Sequence, residues 1–107
     1  MSSYEFKESD WKKFREKVSD WQERYMEKLS KEYIAILLED TNASDRFWKL
    51  EERINEDKNK RGVVIQKSRS KMLFNLYELL DEGVITLKDL SDFSDELNDL
   101  MRAYCGR

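Results

Sequence analysis

Apolar residues recur along the first third of the chain at intervals of three and four: Trp11, Phe14, Val18, Trp21, Tyr25, Leu29, Tyr33 and Ile36. At about 100° per residue they fall on one narrow stripe, which predicts an amphipathic helix over residues 9–38, roughly 45 Å long. Ser9 and Asp10 supply an N-cap region for it. The stripe changes character in "YIAILL", residues 33–38, where Ile34 and Leu38 project nearly opposite the rest. The far end of this helix is therefore expected to be embedded on both sides, by its own chain or by a second copy.

The turn-forming run "EDTNASD" ends that helix, and Ser44 is the expected N-cap of a second one over residues 45–58. Phe47, Leu50 and Ile54 mark its inner face. Trp48 projects roughly 125° from the centre of that face. The plainer expectation is that Trp48 covers the other side of the first helix; left exposed, it becomes the best single candidate for a partner-binding anchor. The polar "NEDKNKRG" follows, with Gly62 marking either a break or a bend in a continuous helix. A third helix is predicted over residues 63–81, apolar nearly all round in "MLFNLYELL" and so central to the core.

Gly83 ends the third helix as a left-handed C′ residue. Thr86, with Asp89 three residues on, forms a capping-box-like start to a fourth helix over residues 87–104. Leu87, Leu90, Phe93, Leu97, Leu100, Met101 and Tyr104 lie on its buried face. The expected fold is all-α: a single-domain antiparallel bundle of about four helices, spanning residues 1–107, with a long first helix. The absence of Pro and the presence of only three Gly among 107 residues fit this, as does a charged share of 40%.

The turn around Gly83 invites two functional readings, and its residues oppose both. As the sixth position of a calcium loop, Gly83 would put Leu80 third, where an oxygen-bearing side chain is required. As the corner of a DNA-reading helix-turn-helix, it would lead into a helix bearing Asp92, Asp95, Glu96 and Asp99, which phosphates repel. A plain helix–helix corner remains, with Val84 or Ile85 entering the core.

Composition narrows the chemistry further. The chain has no His, which removes the commonest general acid–base group and every Ser-His or Cys-His nucleophile pair. Its one Cys, Cys105, can neither make an intrachain disulfide nor assemble a zinc site. The glycines are isolated, so no phosphate-binding loop exists. No catalytic, metal or cofactor-binding residues are therefore assigned, and no enzyme activity or cofactor is expected. "MSSYEFKESDW" shows no apolar signal core, and the longest apolar run is far short of the roughly 20 residues that span a bilayer. The chain reads as cytoplasmic, with no membrane partner.

Charge is unevenly spread despite a net value of only -3. Lys58, Lys60, Arg61, Lys67, Arg69 and Lys71 occur in residues 58–77 with no acid among them, whereas residues 78–107 carry eight acids against three bases. The simplest expectation is that the two segments pack together and neutralise one another. Functionally, Asp92, Asp95, Glu96 and Asp99 could mimic a phosphate backbone in a basic groove of a protein partner. Lys60, Arg61, Lys67 and Lys71 could contact phosphate, although a pI of about 5.1 disfavours nucleic acid. A homodimer joined through "YIAILL" is a third option.

Four phrases taken together, "WQERYMEKLSKEYIAILL", "SDRFWKLEERINEDK", "SRSKM" and "GVITLKDLSDFSDEL", resemble a family of short all-helical proteins of Gram-positive gut bacteria and their mobile elements. The resemblance covers most of the chain. That family has no established activity, so it implies no functional residues. A transporter label borne by some relatives conflicts with the lack of a spanning segment here. The mobile-element setting implies an inhibitor of a host nucleic-acid-processing or defence system, such as an anti-CRISPR protein. The expected function is thus macromolecular binding to an unidentified protein partner, through the acidic helix face and Trp48.

Overall fold

The structure is a computed structural model, and it describes residues 7–106. Four α-helices follow in order: α1 (Glu8–Leu37), α2 (Ala43–Asp57), α3 (Met72–Asp81) and α4 (Asp95–Cys105). Two short 3-10 turns, Arg69–Lys71 and Leu87–Leu90, precede α3 and α4. No strand occurs among the described residues, and no helix is long and apolar enough to cross a membrane. The all-α, four-helix fold with a long first helix is as expected from the periodicity.

The predicted stripe builds the core. Trp11, Phe14, Val18, Trp21, Tyr25 and Leu29 of α1 are buried against Met72, Leu76 and Leu79 of α3 and against Leu97 and Met101 of α4. An aromatic run threads this layer. Trp11 stacks on Phe14 at 5.9 Å, Phe14 meets Trp21 edge-on at 6.3 Å, and Trp21 stacks on Phe93 at 6.2 Å. Tyr77 and Tyr104 stack at 4.3 Å and tie α3 to α4, with the Tyr104 hydroxyl donating to Asp81 at 2.5 Å.

The corner after α3 has the predicted chemistry. Gly83 has φ +73°, the one positive value among the described residues. The Val84 amide donates to the Leu79 carbonyl (2.9 Å) and the Gly83 amide to Leu80 (3.2 Å), the paired bonds of a Schellman motif. Val84 and Ile85 are both buried, where one was expected. Thr86 and Asp89 form the full capping box.

Several boundaries differ from expectation. Residues 61–68 are not helical. Val63, Val64 and Ile65 are three β-branched residues in a row, which pay for a helix in lost χ1 freedom. Their irregular backbone is stitched down by side chains instead. Gln22 donates to the Arg61 carbonyl (3.0 Å), the Arg61 amide donates to Glu82 (2.7 Å), and the buried Asn75 donates to the Gln66 carbonyl (2.9 Å). The fourth predicted helix is two pieces, broken at residues 91–94, where Ser94 caps α4 by accepting from the Leu97 amide (3.2 Å). Lys7 and Asn42 occupy the N-cap positions of α1 and α2, where neither side chain makes a capping hydrogen bond. Ser9, Asp10 and Ser44, expected there, lie inside the first turns.

The largest departure concerns α2. It folds back along the last third of α1 as a hairpin, yet its only buried residue is Asp57. Phe47 and Ile54, the expected inner face, are exposed, and Leu50 is half-buried. Trp48 covers nothing on the first helix. Its ring stands in water against Phe47, edge-to-face at 4.9 Å. In "YIAILL" only Ile36 is buried, while Ile34, Leu37 and Leu38 are exposed. This end of α1 is embedded on one side by its own chain, not on two. The hairpin gives the molecule its elongated extents of 56 × 26 × 19 Å.

Candidate interaction surfaces

The hairpin is held by a polar network around one buried carboxylate. Asp57 Oδ2 accepts from the Tyr33 hydroxyl at 2.6 Å and lies 3.4 Å from Arg53. Oδ1 accepts no well-aligned hydrogen bond but sits 3.1 Å from the Lys60 ammonium. Burial alone would raise the Asp57 pKa; the Tyr33 hydroxyl, Lys60 and Arg53 outweigh it and hold the carboxyl below its ordinary value. Burial, and then the bond to Asp57, push the Tyr33 phenol up to about 12.

Ion pairs seal one flank of the hairpin: Arg53 with Glu32 at 2.7 Å and Lys49 with Glu39 at 2.7 Å. Arg46 closes the tip by donating to the Thr41 carbonyl. Helical geometry then fixes what the opposite flank carries. On α1, Glu32 lies about 40° to one side of Ile36, whereas Leu37 and Ile34 lie about 100° and 160° to the other. On α2, Arg53 and Lys49 lie about 40° and 80° to one side of Asp57, and Ile54 and Phe47 about 60° and 80° to the other. The charged flanks meet each other, so the apolar flanks share the remaining side. A cleft lined by Met26, Ser30 and Tyr33 of α1 and Ile54 and Lys58 at the end of α2 lies on that side. Trp48 sits about 180° from Asp57, on the crest farthest from α1.

The acidic residues singled out in the sequence do not form one helical row. Asp92 lies in the break before α4 and pairs with Lys17 of α1 at 3.2 Å. Asp95, Glu96 and Asp99 are on α4; Glu96 pairs with Lys7 at 3.5 Å and Asp99 with Arg102. Asp89 is the best anchored acid of this region. Both its oxygens accept from Arg24 at 3.0 Å, and burial notwithstanding, Arg24 and the Thr86 amide hold its pKa below the ordinary value. The neutralising bases of Asp89, Asp92 and Glu96 thus come from α1 and the residue before it, not from the basic segment as expected.

The four basic candidates also separate. Lys60 turns inward to Asp57, and Lys67 reaches Ser19 Oγ at 3.2 Å. Arg61 and Lys71 do come together: each stands 5.9 Å from the centre of the Phe74 ring, at a cleft that Val64, Ile65, Gln66 and Asn75 also line. Phe74 was expected in the core and is 47% exposed. The signal for it lay in α3 being apolar all round, since a helix covered on fewer than all sides must leave one apolar residue out.

No family model matches the chain, and no curated protein and no solved structure is similar to it.

Proposed function

We propose that this chain is a protein-binding module whose contact is the exposed apolar surface of the α1–α2 hairpin, anchored by Trp48. The observation that carries this reading is the Phe47–Trp48 pair, two large rings held edge-to-face in water by a helix that buries almost nothing else. Trp is the side chain most enriched among binding hot spots, because one rigid ring removes much area from water at little entropic cost. Such a module needs no reaction chemistry. It acts by covering its partner's working surface, as an inhibitor of a nucleic-acid-processing or defence system does. The acidic group Asp92, Asp95, Glu96 and Asp99 becomes a secondary candidate contact, since three of its four members already have basic neighbours.

Affinity capture from host lysate, with and without nuclease, tests this reading. Capture of one protein in both conditions, lost with Trp48→Ala and kept with Asp95→Lys and Asp99→Lys, supports it. Capture that ignores Trp48 and fails with the acidic reversals returns the contact to α4.

A second reading is favoured by Phe74, which Arg61 and Lys71 flank at an open cleft. An exposed ring between cations is how single-stranded nucleic acid is stacked and neutralised. Salt-sensitive gel retardation lost with Phe74→Ala supports it, and no retardation at low salt dismisses it.

A further inference from the structure

The six apolar side chains on and around the hairpin's open flank, Ile34, Leu37, Leu38, Phe47, Trp48 and Ile54, are between 42% and 78% exposed. At roughly 200 Å² for a fully exposed large side chain, they leave on the order of 700 Å² in water. That exceeds the few hundred Å² of contiguous apolar surface that a monomer ordinarily shows. Without Trp48, the other five leave about 570 Å², the larger part of the roughly 800 Å² per partner that a stable interface buries. Leu37, Phe47 and Ile54 face the same way, with Ile34 and Leu38 on the α1 margin and Trp48 on the α2 margin.

Charge runs along the same hairpin from end to end. The tip, residues 39–46, carries Glu39, Asp40 and Asp45 against Arg46; the root, residues 56–61, carries Lys58, Lys60 and Arg61 against Glu56 and Asp57, so the tip is net acidic and the root net basic. Asp40 and Lys58 are both exposed, with no ion-pair partner among the described residues. A surface with acid at one end and base at the other is complementary to a copy of itself turned end for end. It is repelled by a copy in the same direction.

We infer that the occupant of the apolar flank is a second copy of this chain, two hairpins packing face to face in antiparallel fashion about a two-fold axis. This rests on the reading of the hairpin as an interaction surface and adds the identity of what covers it. Each hairpin supplies two helices with one open apolar side, and the pair completes a four-helix bundle whose core is Leu37, Phe47 and Ile54 from both copies. Each acidic tip then lies over the basic root of the other copy. Trp48, on the margin, stays accessible to a different protein.

Light scattering on size-separated protein, from low micromolar to near-millimolar concentration, tests this. The expected result is a mass rising from 13.0 kDa towards twice that value. Ile54→Glu, on the open flank, is expected to stay at the single-chain mass with unchanged helical circular dichroism. Lys58→Asp and Asp40→Lys are each expected to weaken dimerisation several-fold, and the double exchange Asp40→Lys with Lys58→Asp to restore it. A single-chain mass at every concentration overturns the inference, as does an Ile54→Glu protein that dimerises like the parent. Failure of the double exchange to restore dimerisation overturns the antiparallel arrangement. A single-chain mass together with Trp48-dependent capture of a different protein removes the second copy and leaves the binding module standing; absence of both removes both.

Discussion

The carboxylate of Asp10, in the first turn of α1, caps the start of α4 from 84 residues away: Oδ1 accepts the Ser94 amide at 2.8 Å and Oδ2 its hydroxyl at 2.6 Å. Ser94 Oγ in turn accepts from Leu97, so one buried acid fixes both the hydroxyl's direction and the helix start. Asp10 is fully buried beside the Trp11–Phe14 stack. Removing it takes the charged acceptor from two donors of half-buried Ser94, bonds worth about 1.5 kcal/mol or more each. Asp10→Ala is therefore expected to lower the urea unfolding free energy by about 3 kcal/mol. Ser94→Ala, which leaves the amide bond in place, should cost about 1 kcal/mol. Equal losses from the two would show that Asp10 acts through something other than the cap.

The Tyr33–Asp57 pair predicts a stability plateau with two edges. Asp57 has its pKa lowered in the folded chain, so its contribution is full above the unfolded value of about 3.9 and is lost as pH falls through the folded one. Tyr33 is raised, so its contribution is full below about 10 and is lost as pH rises through about 12. Thermal melts across pH should therefore fall off on both sides. Asp57→Asn is expected to flatten the acid edge, and Tyr33→Phe the alkaline edge. An acid limb unchanged by Asp57→Asn would place the acid sensitivity elsewhere, with Asp89 the next group to examine.

Two glycines predict substitutions that fail for different reasons. A Cβ at Gly62 would lie 2.2 Å from Tyr25 Cδ2, and that ring is fixed in the core. Gly62→Ala must move the ring or the linker, at about 2 kcal/mol or more. Gly83 has open space around it but φ +73°, so Gly83→Ala costs only the left-handed backbone penalty of about 1 kcal/mol. Gly83→Asn should recover part of that loss and Gly62→Asn none of it. Chemical denaturation of the four variants reads the contrast directly.

What the sequence revealed follows from where the deciding partner lay. The α1 stripe was legible because Trp11 to Leu29 repeat on one side over many turns, and a whole domain packs on that side. The corner at Gly83 was legible because its turn chemistry is local. Phe47, Leu50 and Ile54 repeat just as regularly, but periodicity records that a face is apolar, not whether this chain covers it. The break at residues 91–94 was hidden because Leu90, Phe93 and Leu97 keep helical spacing across it. Its local signal was Ser94, a second N-cap residue ahead of Asp95 and Glu96. The Asp10–Ser94 contact joins opposite ends of the chain, and nothing local at either end announces it. The acidic row dissolved because Asp92 falls in the break before α4, and Asp92 and Glu96 take their partners from α1 and the residue before it.

The three tryptophans give the exposed hairpin a signature that depends on no partner. Trp11 and Trp21 are buried in the aromatic layer, while Trp48 is 63% exposed on a helix that the core does not touch. Acrylamide and iodide should therefore quench one accessible emitter, red-shifted relative to the other two, and Trp48→Phe should abolish that component alone. Surface substitutions of this kind change stability by less than about 0.5 kcal/mol. Trp48→Ala should accordingly melt with the parent protein while losing partner capture, which separates a binding surface from a folding one. A Trp48→Ala protein that melts markedly earlier would mean that the ring packs on its own chain in solution, and the hairpin would then have no anchor to offer.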